Sequence, residues 1–97
     1  MPDVVEFVSF KLKEGVPVPD FLLASDKFNN NFVSVQKGYV SRKLLVDGDT
    51  WSDLILWETM DDVLKTYKVA EEDATACKYL SFICNCEVHL MRVERSY

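Results

Sequence analysis

The chain predicts an α+β fold of the ferredoxin-like kind, β-α-β-β-α-β, with both helices on one face of a four-stranded antiparallel sheet. Three observations carry that reading. Segments of period two, rich in β-branched and aromatic residues, alternate with segments of helical period in that order along the sequence. An Asp-Gly turn signal joins the two central strands directly. The two remaining connections are crossovers, and crossovers of the preferred hand put their helices on the same side. With 97 residues and no repeat, linker or low-complexity segment, residues 1–97 form one domain.

The first strand runs from Val4 to Lys13, VVEFVSFKLK, and stops at Glu14-Gly15 and the VPVP that follows. From Asp20 the period changes, because Phe21, Ala24, Phe28, Phe32 and Val35 recur at steps of three and four. Pro19 and Asp20 suit the start of that helix and Gly38 its end, and Asn29 to Asn31 fall on the solvated side. Tyr39 to Val46 is the second strand. Asp47-Gly48-Asp49 turns the chain into the third, WSDLILWE, from Trp51 to Glu58. The second helical stretch carries Met60, Val63, Tyr67, Ala70, Ala74, Cys77 and Leu80 on one stripe, with a break expected at the acidic residues 71 to 73. CEVHLMRVERSY, from Cys86 onward, is the fourth strand.

Strand geometry puts Trp51, Asp53, Ile55 and Trp57 on one face of the third strand and Leu54 and Leu56 on the other. The first strand is equally two-faced. Two helices cover one face of a sheet only, so the other face is expected to pair with a second copy as a homodimer.

Composition excludes several classes of function. The formal charge of −5, with no stripe of Lys and Arg, argues against nucleic acid or an anionic membrane as partner. The acidic N-terminus and the lack of an apolar run near ~20 residues point to a cytoplasmic protein. Cys77, Cys84 and Cys86 lack the count and spacing of a disulfide framework or a metal site, so buried inert thiols are expected and no metal. Three scattered glycines exclude phosphate-cradling loops, and no Ser or Cys nucleophile stands in a recognisable motif with a histidine.

Glu6 is the most unusual polar residue, since Val4, Val8 and Phe10 share its face. Two readings fit it: a general acid or base with a raised pKa, or a structural carboxylate that pairs with a cation such as Arg42, Arg92 or His89 or lies where the strand end meets water. His89, between Val88 and Leu90, either transfers protons in a cavity or is structural or at a subunit contact. Arg42 and Asp53 lie on strands that the hairpin makes adjacent, so they can form a cross-strand ion pair, which either orients a substrate or satisfies charge within the sheet. Trp51 and Trp57 can stack on a planar ligand, and Tyr39 and Tyr67 can donate phenolic protons, although all four also suit a core.

The sequence resembles the dimeric α/β barrel superfamily, and within it the small proteins similar to antibiotic biosynthesis monooxygenases. The resemblance runs over nearly the whole chain. Its motifs are Gln36-Lys37-Gly38-Tyr39 opening the second strand, with Arg42 following, and the W-x-D-x-x-x-W-E pattern of Trp51, Asp53, Trp57 and Glu58. It implies paired sheets, a cavity between sheet and helices in each protomer, and chemistry that in this superfamily ranges from cofactor-free oxygenation of aromatic polyketides to haem degradation, lactone isomerisation and polyketide cyclisation. Neither an Asn-Trp-His haem-degrading triad nor a paired His and Tyr cyclase site can be matched residue by residue.

The expected function is therefore binding of a small apolar or aromatic molecule, with cofactor-independent monooxygenation of an aromatic or polyketide-like substrate as the inherited chemistry and no cofactor. Glu6 and His89 are the catalytic candidates. Arg42, Asp53, Trp57 and Tyr67 are the binding candidates. The rival reading is a non-catalytic binding or assembly module whose interior is filled by side chains. Haem binding, supported by His89 alone, is a third.

Overall fold

The computed structural model describes residues 3–97. Its elements are β1 (Val4–Leu12), α1 (Val18–Asn31), a 3-10 turn (Val33–Val35), β2 (Tyr39–Asp47), β3 (Thr50–Trp57), α2 (Met60–Ala70), α3 (Ala74–Leu80) and β4 (Ile83–Arg92). The sheet has the order β2-β3-β1-β4, with every neighbouring pair antiparallel. This is the ferredoxin-like arrangement, with one helix divided.

Each helix begins where the sequence offers the right chemistry. Pro17 caps α1 in an extended conformation, and Asp20 lies in its first turn, where a negative charge suits the helix dipole. Thr59 and Asp73 cap α2 and α3 by accepting hydrogen bonds from the Asp62 and Ala76 backbone N–H groups, at 3.1 and 2.9 Å. Asp73 is the physical reason for the break, because a capping side chain restarts the helical phase. The stripe expected through Ala74, Cys77 and Leu80 is thereby replaced. Ala76 and Tyr79 are buried instead, while Cys77 and Leu80 are exposed.

The end of α1 shifts phase in the same way. After Phe32 the chain tightens into the 3-10 turn, so Val33 is buried and Val35 faces solvent. The Gln36 side-chain amide donates to the Phe32 carbonyl at 2.9 Å and occupies one acceptor at the helix end. Asn29, expected on the solvated side, is half-buried.

The helices cover the sheet face formed by Val4, Glu6, Val8, Phe10, Asp53, Ile55 and Trp57, and the core lies there in two parts. One gathers around Val4, Phe32, Val33, Trp57 and Val63; the other joins Phe10, Phe21, Tyr79 and Ile83. On the opposite face, Val5 lies across from Leu56 and Phe7 from Leu54, with Leu45 and Met91 exposed at the flanks. β4 is an edge strand with a register shift opposite Ser9 to Lys11, where Asn85 adopts a φ of 54°. No helix among the described residues is long and apolar enough to cross a membrane.

Gly38 connects the 3-10 turn to β2 with a φ of 88°, and a Cβ built there would collide with the Asp62 side chain. Gly48 in the hairpin turn also has a positive φ, 62°, but faces open space. Gly38→Ala should therefore cost roughly 2–3 kcal/mol, conformational strain plus the collision, against about 1 kcal/mol for Gly48→Ala. Urea midpoints of the two variants check this, and equal losses would contradict the close approach of α2.

Candidate functional site

Two carboxylates enter the covered face of the sheet from adjacent strands. In the β1–β3 register Glu6 lies opposite Ile55 and Val8 opposite Asp53, so the two acids are diagonal neighbours. Both are buried, Glu6 at 6% and Asp53 at 4% exposure, and each therefore needs partners.

Asp53 has a cation. Arg42 donates from Nε to Asp53 Oδ1 at 2.8 Å, while Tyr79 donates its hydroxyl to Oδ2 at 2.7 Å. The guanidinium is used further, with Nη1 donating to the Ser25 carbonyl and Nη2 to Ser25 Oγ at 3.2 and 2.9 Å, and Nη2 reaching the Tyr79 oxygen at 3.2 Å. Its carbon lies 5.2 and 5.3 Å from the ring centroids of Phe28 and Tyr79. Of the two readings of this pair, the geometry is that of charge satisfied inside the fold.

Among the described residues, Glu6 has no cation as a hydrogen-bond partner. Trp57 donates from Nε1 to Oε1 at 2.9 Å, and Tyr67 donates its hydroxyl to Oε2 at 2.7 Å. The expected pairing with Arg42, Arg92 or His89 is replaced by these two neutral donors. Burial pushes the Glu6 carboxyl above its ordinary value of 4.5; the bonds from Tyr67 and Trp57 oppose the shift, and the Asp53 charge adds to it. Burial, reinforced by the adjacent Glu6 charge, pushes the Tyr67 phenol up, and burial with the Asp53 charge does the same to Tyr79. Both phenols stay protonated as donors.

Beside Glu6 lies a cavity of about 330 Å³ between sheet and helices. Glu6, Asp53 and Trp57 form part of its floor, and Phe28, Tyr67 and Tyr79 part of its roof. The inward side chains of β4, Cys86 and Val88, also line it and are exposed, so the cavity opens beside that edge strand. Its size lies at the lower end of the range for small-molecule sites. The cysteines are free, but they are not the buried thiols expected: Cys77, on a turn of α3 whose phase Asp73 resets, and Cys86, on the open edge strand, are exposed, and Cys84 is half-buried. Partial desolvation against the cavity, with the neighbouring Cys84, pushes the Cys86 thiol up.

Of the six site candidates, Glu6, Asp53, Trp57 and Tyr67 share the cavity, whereas Tyr39 packs against the core beside Trp57. Arg42 stands behind Asp53, outside the lining. His89 lies opposite Phe7 on the other face of the sheet, exposed, because its position in β4 has the parity of Val5 and Phe7 rather than that of Glu6. It cannot exchange protons within this cavity. Tyr79, which the sequence did not single out, joins the site because Asp73 resets the helix phase.

Removing the cation should be costly. Arg42→Met leaves Asp53 buried with the Tyr79 hydroxyl alone and should destabilise the fold by about 3–5 kcal/mol. For Glu6, the raised folded pKa means that the native state holds a proton the unfolded chain has released, so this group's contribution falls as pH rises from the ordinary 4.5 through the folded value. The stability of the wild type relative to Glu6→Gln should accordingly be greatest near about pH 4 and shrink towards about pH 8, as read from denaturant midpoints. A difference that grows with pH would show that the two donors outweigh burial.

No family model matches the chain, and neither does any curated protein. Solved structures match its fold. SnoaB of Streptomyces nogalater, a cofactor-independent oxygenase, superposes with a TM-score of 0.80 at 16% identity, over 99% of this chain and 97% of that one. A candidate antibiotic biosynthesis monooxygenase from Bordetella bronchiseptica gives 0.78 at 14% identity over 94% and 96%, and another from Bacillus cereus gives 0.60 at 17% over 100% and 98%. The chain thus has the ferredoxin-like fold that these antibiotic biosynthesis monooxygenase-like structures share.

Proposed function

We propose that the protein binds a small aromatic molecule in this cavity and oxygenates it without a cofactor, with Glu6 as the general base. The observation that carries the reading is a buried carboxylate, held by neutral donors alone, in the wall of an apolar cavity. Such a group accepts a proton more readily than one paired with a guanidinium. The fold shared with a cofactor-independent oxygenase supports the same chemistry.

The substrate is an aromatic carbon acid or phenol whose anion is electron-rich enough to reduce oxygen itself. For a ring methylene, Glu6 takes one proton, the carbanion adds O₂, and the resulting peroxide anion takes that proton back from Glu6 and loses water to leave a ketone. One oxygen atom enters the product and the other leaves in water, so no external reductant is needed. Trp57 and Tyr67 hold the carboxylate in place, and the rings of Phe28 and Tyr79 offer stacking surface to a planar ligand.

The second sheet face supports a homodimer as part of this reading. Val5, Phe7, Leu54 and Leu56 form an apolar strip that another copy would cover, with His89 beside it at the contact. Leu54→Asp should then convert a sedimenting dimer into a monomer.

An oxygen electrode with anthrone-type and quinol probes tests the catalytic reading. Wild-type protein should consume oxygen, Glu6→Gln should lose roughly 10²–10⁴-fold of that rate, and His89→Ala should keep it. Binding without turnover by any probe would leave the non-catalytic binding module, and neither binding nor turnover would end both readings.

A further inference from the structure

We infer that the cavity selects its ligand by charge, taking aromatic molecules that present a donor hydrogen to Glu6 and excluding those that carry a negative charge. The inference rests on the binding reading above and specifies its ligand class. Among the described residues that line the cavity, the ionisable side chains of high charge are Glu6, Asp53 and Glu71, and none is Lys or Arg. The nearest guanidinium, Arg42, is 5% exposed and spends Nε, Nη1 and Nη2 on Asp53, Ser25 and Tyr79. Four of its five N–H donors are used there and the side chain lies outside the lining, so an incoming anion meets no guanidinium in the cavity.

Glu6 has capacity left for a ligand. A carboxylate accepts about four hydrogen bonds, and Trp57 and Tyr67 fill one site on each oxygen. The remaining lone pairs can receive the O–H of a phenol or enol or the N–H of a protonated amine. An anionic group brought to the same place meets a like charge in a water-poor, apolar wall, where little screening is available. Glu71, also in the lining at the C-terminal end of α2, gives the site a second negative charge.

A pair of nearly isosteric probes separates charge from shape. Naphthalene-2-sulfonamide is neutral and carries donor hydrogens, whereas naphthalene-2-sulfonate is a permanent anion of similar size. Calorimetric titration of the full-length protein should show the sulfonamide binding roughly tenfold to a hundredfold more tightly. Glu6→Gln should reduce that ratio to within about threefold, chiefly by admitting the sulfonate. Equal affinities in the wild type would overturn the inference while leaving small-molecule binding intact. A ratio unchanged in a folded Glu6→Gln protein would remove Glu6 as the selecting group. Binding of neither probe, nor of the anthrone and quinol compounds, would instead defeat the binding reading itself. Should Glu6→Gln fail to fold, the wild-type ratio still decides.

Discussion

The Arg42–Asp53 pair is the constraint on which the arrangement of the helices over the sheet depends. Removing both ions from water costs several kcal/mol each, and a buried pair is tolerated only when its remaining donors and acceptors are also used. Here one guanidinium from β2 reaches Asp53 on β3, Ser25 on α1 and Tyr79 on α3. A planar fork with fixed donor directions holds those four elements in one geometry, which a flexible lysine ammonium would not. The cavity follows from this. Tyr79, held by Arg42 and Asp53, stacks on Phe28 at a centroid distance of 4.3 Å, and the two rings form part of the roof above Glu6.

The strands and α1 were legible in the sequence because each carries a strong period, and the hairpin made the Arg42–Asp53 pair legible as well. Asp47-Gly48-Asp49 fixes the β2–β3 register, which sets Arg42 opposite Ile55 and Leu44 opposite Asp53, leaving the ions on one face two residues apart. Tyr79 was hidden by the new phase after Asp73. The partners of Glu6 were hidden for another reason. β1 and β3 are not joined by a turn, so no local signal fixes the register that brings Trp57 opposite Val4 and within reach of Glu6. Tyr67 comes from α2, and its height above the sheet depends on helix packing that periodicity does not specify. The parity of His89 was likewise obscured by the irregularity around Asn85, which separates the start of β4 from its register with β1.

Strand order explains why two acids so close together differ in chemistry. β3 lies between β2 and β1, so Asp53 has the arginine-bearing strand as its neighbour. β1 lies between β3 and β4, and the residues directly opposite Glu6 are Ile55 and Leu90. No cation is offered from either side at that level. What reaches Glu6 is an indole N–H from diagonally across the sheet and a phenol from the helix above, and neutral donors stabilise a carboxylate less than a guanidinium does. Asp53 is thereby committed to the fold, whereas Glu6 keeps free lone pairs and an elevated proton affinity beside an apolar space. Moving an arginine onto β4 opposite Glu6 would make the two acids alike, and the site would lose the asymmetry from which its chemistry arises.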